Sequence, residues 1–234
     1  MGDVEMPVLN SEARSSCPLS PQDIVDLGTH ELRRLFERAT PKFMLFNEKG
    51  GTAGFYKTSL DVLALNEQYA DREAFYHEAW HACEAKLLHA DERVSLQAIF
   101  APDGPLAPFV IEAMREQGIA EVAINAAMAS PSEMQAYAFQ LWAVGKLDLT
   151  EQRISEFYKV RGFVDGVTEV AALLGGERAK SVFTAFMAGE LANRHRAESG
   201  LAEGMGVTLH LPPPHTTWEQ AEEPRLSGSS MRMG

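Results

Sequence analysis

The chain has 234 residues, of which 45% are hydrophobic, and carries a formal net charge of -12. That is apolar material for one substantial core, and the acidic balance leaves no basic stripe of the kind phosphate binding demands, so no nucleic-acid partner is expected. No apolar run reaches the roughly 18 residues of a membrane span, the stretch from Met1 to Ser20 lacks the basic and apolar regions of a leader, and two cysteines, Cys17 and Cys83, make no disulfide framework. The default expectation is a cytoplasmic protein with no membrane partner, although export by a signal-free route would leave no trace in the sequence.

Residues 1–19 are rich in Ser, Glu and Pro and are expected to be a disordered tail. Ser20-Pro21-Gln22-Asp23 then supplies an N-cap, a first-turn proline and a first-turn acid. Ile24, Leu27, Leu32, Leu35 and Phe36 form the apolar stripe of a helix that Thr40-Pro41 ends, with His30 on its surface. Lys42 to Asn47, Thr52 to Thr58 and Leu60 to Asn66 are short apolar or aromatic runs, the first two separated by the turn Glu48-Lys49-Gly50-Gly51, and read as a small sheet. Asp71 is the expected N-cap of a helix running to about His89.

Beyond it the pattern is helical: Pro105 to Gln117, Ile119 to Ala129, Pro131 to Val144, Thr150 to Arg161, Phe163 to Leu174 and Glu177 to Arg196. Gly118, Gly145, Gly162 and Gly175-Gly176 are the expected stops. The cluster Arg194, His195, Arg196 is expected to cap a helix end. From Ser199 to Gly234 the chain is rich in Gly, Pro and Ser and reads as a flexible tail, in which His210 and His215 are solvated. The whole is one α+β domain over residues 20–198 with a tail at each end.

Within the motif helix, His77-Glu78-Ala79-Trp80-His81 fits the pattern HExxH. At about 100° per residue, positions four apart stand roughly 40° apart on one face, so both imidazoles can address a single ion. Glu78 then projects beside the ion, where a carboxylate can take a proton from water. The bland alternative is a solvated helix that happens to carry these residues. Phe75, Tyr76, Ala79, Trp80, Ala82, Cys83, Ala85, Leu87 and Leu88 argue against it, because they leave little polar face, and buried His and Glu need partners.

A catalytic zinc site takes three protein ligands, and the reading expects one zinc ion per chain. A third His in the metzincin pattern is excluded, since Glu84 stands where the glycine would be and Leu87 where the His would be. The ligand must come from a later element, and Glu133 in Ser130-Pro131-Ser132-Glu133 is the leading candidate. Ser130-x-x-Glu133 is also a capping box, which would direct the carboxylate back to a backbone amide instead. Glu121 is the main rival ligand, with Glu112 and Glu116 behind it. Oxyanion stabilisation needs a donor; Tyr137, one turn beyond Glu133, is the candidate, although the same ring also reads as core packing. Tyr69, Tyr76 and His89 are weaker alternatives.

An apolar strand Val62-Leu63-Ala64-Leu65-Asn66, an HExxH helix, and a later helix beginning Glu133-x-x-Ala136-x-x-Phe139 together resemble zincin-type metallopeptidase domains of gluzincin arrangement. The last segment is similar to the third-ligand helix of the bacterial regulatory peptidases related to ImmA and IrrE, and of uncharacterised bacterial metallopeptidase families, with Tyr137 where their pattern usually has Asn. The resemblance spans residues 42–145. It implies that His77, His81 and Glu133 bind zinc, that Glu78 is the general base, and that the strand ending at Asn66 lines the cleft and pairs with extended peptide.

The expected function is therefore zinc-dependent hydrolysis of a peptide bond in a peptide or protein substrate. The alternative is a non-catalytic binding or regulatory protein on a zincin scaffold. A deformylase-type hydrolase would need a Cys ligand well upstream of the motif, and between Cys17 and Cys83 there is none. Val207 to Leu211, apolar within the polar tail, suggests a segment that docks as an autoinhibitory strand.

Overall fold

Ser20 caps the first helix as its sequence requires, accepting the Asp23 N–H at 3.2 Å; this and all that follows is seen in a computed structural model, which describes residues 19–49, 52–161 and 166–204. The expected single helix is α1 (Pro21–Asp26) and α2 (Leu32–Phe36) joined by a wide π turn over Leu27–Glu31, with a 3₁₀ turn at Glu37–Ala39. Gly28 lies in that turn, and the ring of Phe43 occupies the space a Cβ would need. The apolar stripe is buried as expected, with Ile24, Leu32, Leu35 and Phe36 all fully inaccessible, while His30 stays on the surface.

Three short strands follow, β1 (Lys42–Phe46), β2 (Gly54–Lys57) and β3 (Val62–Asn66), in the order β1-β3-β2. β1 runs parallel to β3, with Lys42 opposite Val62, and β2 runs antiparallel to it, with Gly54 opposite Leu65. A strand with a neighbour on each side is covered throughout, and all five residues of β3 are buried. This corrects the expectation that the strand ending at Asn66 lines a cleft. β3 has no free edge, and Asn66 turns its amide to the carbonyls of Glu48 (2.9 Å) and Thr52 (3.2 Å) while its oxygen accepts the Gln68 N–H. Asn66 organises loops. Among the described residues the edge strand beside the motif helix is β2.

The remainder is helical: α3 (Arg72–Lys86), α4 (Ala90–Ile99), α5 (Ala107–Glu116), α6 (Glu121–Ala129), α7 (Pro131–Ala143), α8 (Glu151–Val160), α9 (Gly166–Met187) and α10 (Glu190–Gly204). The molecule is α+β, with a small mixed sheet near its N-terminus. Asp71 caps α3 through Ala74 N–H at 2.7 Å. The sheet flanks α3 on one side and α7 runs along it on another. Trp80 fills the space between helices, 5.0 Å from the ring of Phe139 on α7 and 4.8 Å from that of Phe183 on α9. That aromatic cluster fixes how α3 and α7 cross, and so fixes the site.

Several boundaries differ from expectation. The motif helix stops at Lys86, and α4 begins after the junction residue His89, whose N–H is met by Glu92 Oε2 at 3.0 Å. Gly118 and Gly145 do end helices with positive φ. Gly175 and Gly176 do not: they lie inside α9, where a Cβ would press on Ile99 and Ile154 respectively. The break falls instead at Gly189, φ +74°, and α10 continues past the boundary expected at 198. Arg194 does serve a helix end, bonding the carbonyl of Leu87 at the close of α3 while its guanidinium forks onto Glu92 at 2.7 and 2.9 Å. Gly162, the expected N-terminal tail to 18, and Val207 to Leu211 with His210 and His215 lie outside the described residues. No helix among the described residues is long and apolar enough to cross a membrane.

Candidate metal centre

Residues four apart on α3 do what their spacing demands. The Nε2 atoms of His77 and His81 lie 3.2 Å apart, with ring centroids separated by 4.9 Å. From the start of α7, Glu133 brings one carboxylate oxygen within 3.2 Å of His77 Nε2 and the other within 3.4 Å of His81 Nε2. Among the described residues these three form a group whose ligand atoms all lie within 4.8 Å of one another, close enough to hold one metal ion.

Glu133 meets the cap with its backbone and the two histidines with its side chain. Its backbone N–H is capped by the Ser130 hydroxyl at 3.3 Å, and its side chain points to the two histidines. Pro131 at the first helical position adds a second start signal, so α7 begins where it must for position 133 to face α3. The rivals stand elsewhere. Glu121 is largely exposed and pairs with Arg115 at 3.0 Å, Glu112 pairs with Arg161, and Glu116 is exposed.

The outer contacts bear on whether the site fits a metal. His77 Nδ1 lies 2.9 Å from Gln140 Oε1, a carbonyl oxygen that can only accept, so Nδ1 carries a proton and Nε2 is the nitrogen turned toward Glu133 and His81. Ser132 Oγ lies 3.3 Å from His81 Nδ1 and also donates to Glu84. Two imidazole nitrogens and a carboxylate oxygen, with nothing interposed, suit a borderline divalent ion.

Glu78 is 7% exposed. It sits beneath β2, where the Tyr56 main-chain N–H donates to its carboxylate and where a Cβ on Gly54 would stand 3.1 Å from its Cγ. Burial pushes its carboxyl above the usual range, and the charge of Glu133 adds to this, against the pull of both histidines and the Tyr56 N–H. At Glu133 burial acts in the same upward sense but is outweighed by hydrogen bonds and charge from His77 and His81, which hold it well below the usual carboxylate range. At His81 burial disfavours the proton and is again outweighed, by the hydrogen bond the ring donates to Glu133 and the charges of Glu78, Glu133 and Glu84, so its value is raised.

Tyr137 is brought to the site, its ring edge-on to His77 at 4.7 Å and its side chain buried. Two of the weaker donors are not: Tyr76 OH is bonded to Glu31 and His89 pairs with Glu198. Sequence reasoning missed Gln140, Ser132, Glu84, Gly54 and Tyr56. Gln140 alone left a trace, since it follows Glu133 by seven positions and so shares its helix face. Neither a family model, nor a curated protein, nor a solved structure matches the chain.

Proposed function

We propose that the chain is a zinc-dependent metallopeptidase of zincin-like architecture, with His77, His81 and Glu133 as the ligands. The observation that carries the reading is the convergence of these three on one point with a buried Glu78 on the intervening turn of the same helix. Zinc bound there would polarise a scissile carbonyl and acidify water. Glu78 accepts the proton of the attacking water and returns it to the leaving amine. The Tyr56 N–H orients the carboxylate from the side of the sheet.

β2 is the edge strand beside the motif helix and offers main-chain groups to an extended peptide, the role expected of β3. Tyr137, fixed against His77, is the candidate oxyanion donor; Tyr137→Phe should lower kcat while leaving zinc in place.

The test is Glu78→Gln. The amide keeps the shape and loses the basicity, so the variant should retain zinc and lose cleavage of a peptide library by about 100-fold or more. Turnover at the wild-type rate would remove Glu78 as the base. Stoichiometric zinc in the wild type with no cleavage of any peptide would favour the binding-protein alternative.

A further inference from the structure

Among the described residues only Glu37 and Asp61 combine a side chain with a positive φ. Asp61, at φ 51° and ψ 51°, closes the 3₁₀ turn Thr58–Leu60 between β2 and β3 in a left-handed conformation that costs an L side chain energy. Its main chain is used there: the N–H donates to the Thr58 carbonyl at 3.2 Å, and the carbonyl accepts the Lys42 N–H at 2.8 Å. Those bonds need no carboxylate, and glycine would make them without the conformational cost. The side chain has other partners. One oxygen accepts the Tyr56 hydroxyl at 3.0 Å and the other accepts the ammonium of Lys86, the last residue of α3. With the two side chains 42% and 22% exposed, this ion pair adds little to stability.

Tyr56 connects this corner to the site. Asn66 N–H meets the Ala53 carbonyl at 2.8 Å, so by the alternation of an antiparallel pair Phe55 and Lys57 turn their main-chain groups to β3, and Gly54 and Tyr56 turn theirs outward. The outward Tyr56 N–H is the one that reaches Glu78, and a carboxyl oxygen accepts that bond with or without its proton. Tyr56 is thus held twice, by its N–H on Glu78 and by its hydroxyl on Asp61. Asp61 is held in turn by Lys86, eight residues and about 12 Å along α3 from Glu78. We propose that Asp61 is the positioning residue that clamps β2 onto α3 and so keeps the Tyr56 N–H on the Glu78 carboxyl. A strand pinned to the helix at Glu78 alone can swing about that point; a second pin at Lys86 stops it. With Glu78 as the base, the clamp fixes the angle at which its carboxyl meets the attacking water. That consequence rests on the metallopeptidase reading, whereas the clamp itself does not.

Residue-resolved amide exchange of the full-length protein, measured by NMR, reports the clamp, and cleavage of a peptide library reports its consequence. Asp61→Gly keeps the left-handed turn and removes the carboxylate. It should speed exchange of the Tyr56 N–H about 10-fold or more while Phe55 and Lys57, turned to β3, stay within about 2-fold of the wild type. It should also lower kcat about 10-fold and leave zinc affinity unchanged. Tyr56→Phe should reproduce both effects, Lys86→Met should follow, and Lys86→Arg, which keeps a cation, should behave as the wild type. Asp61→Gly with Tyr56→Phe should cost no more than either alone. Wild-type exchange at Tyr56 in Asp61→Gly would overturn the proposal. So would equal acceleration across β2 and β3, the mark of a residue that only stabilises the sheet, or an unchanged kcat with the Tyr56 N–H released. A wild type that cleaves no peptide while Tyr56 exchange responds as expected would leave the clamp standing and sink the metallopeptidase reading.

Discussion

At the residue scale the centre is a set of proton positions as much as of ligand positions. In the zinc-free protein the His81 imidazole holds its proton more tightly than usual, because Glu133, Glu78 and Glu84 outweigh the cost of burying the charge. A histidine with a raised folded value adds stability that is fully present below its unfolded value, near 6.5, and is lost as pH climbs through the folded value. Glu78, raised chiefly by burial, acts in the same sense from lower pH, whereas the depressed Glu133 acts only below the ordinary carboxylate range, where its stabilising charge is lost. The zinc-free protein should therefore melt a few degrees lower at about pH 8 than at about pH 6, and Glu133→Gln should flatten that slope. Thermal denaturation in chelator measures it; a melting temperature that rises over the same window would contradict the assignment. His77, Glu78 and His81 were legible in the sequence because helical periodicity alone brings them together. Glu133 was legible only because a pair of histidines would need a third donor to hold an ion, and where its carboxylate points depends on how α7 crosses α3. Ser132 and Glu84 were not legible, since their contact depends on that crossing.

At the element scale the site depends on how closely β2 can lie on α3. Gly54 lies close to both β3 and α3: a Cβ there would stand 2.8 Å from Leu65 Cδ2, 2.9 Å from the Ala64 carbonyl and 3.1 Å from Glu78 Cγ. The carbonyl cannot step aside as a side-chain end can. Gly54→Ala should therefore cost about 1–3 kcal/mol, the range of overpacking in a filled core. It should also push β2 away from Glu78, lowering kcat more than it weakens zinc binding. Denaturant unfolding and zinc competition on the same variant check both, and wild-type stability would show that the strand moves freely. All three strands were placed to within two or three residues from short apolar runs, but their order was not, because alternation and length do not tell a central strand from an edge one. β3 reads VLALN, apolar almost throughout, and its complete burial is the consequence of a central place. Gly175 and Gly176 misled for a related reason. A glycine that ends a helix and one that lets a neighbouring helix approach look alike until Ile99 and Ile154 are seen against them.

At the scale of the whole molecule the helical half holds α7 against α3, and any ion in the centre would pin the two together. The aromatic cluster of Trp80, Phe139, Phe183 and Phe186 does this from the core side. Arg194 braces the far end of α3, tying it to α10 and, through Glu92, to α4. A ligand that binds only the folded state stabilises it by mass action, so zinc at a hundredfold over its dissociation constant should add about 2.7 kcal/mol. The expected α+β class and helical second half were legible from periodicity; α4 was not, because its start follows His89, a residue that does not announce a cap. The central claim is that His77, His81 and Glu133 together hold one ion, and metal retention by matched carboxylate variants tests it most directly. Wild-type protein, Glu133→Gln and Glu121→Gln are loaded with zinc, dialysed against a mild chelator and assayed for metal. The account predicts about one zinc per chain in the wild type and in Glu121→Gln, and little in Glu133→Gln with its fold intact. Full retention of zinc by Glu133→Gln, or its loss from Glu121→Gln, would contradict it.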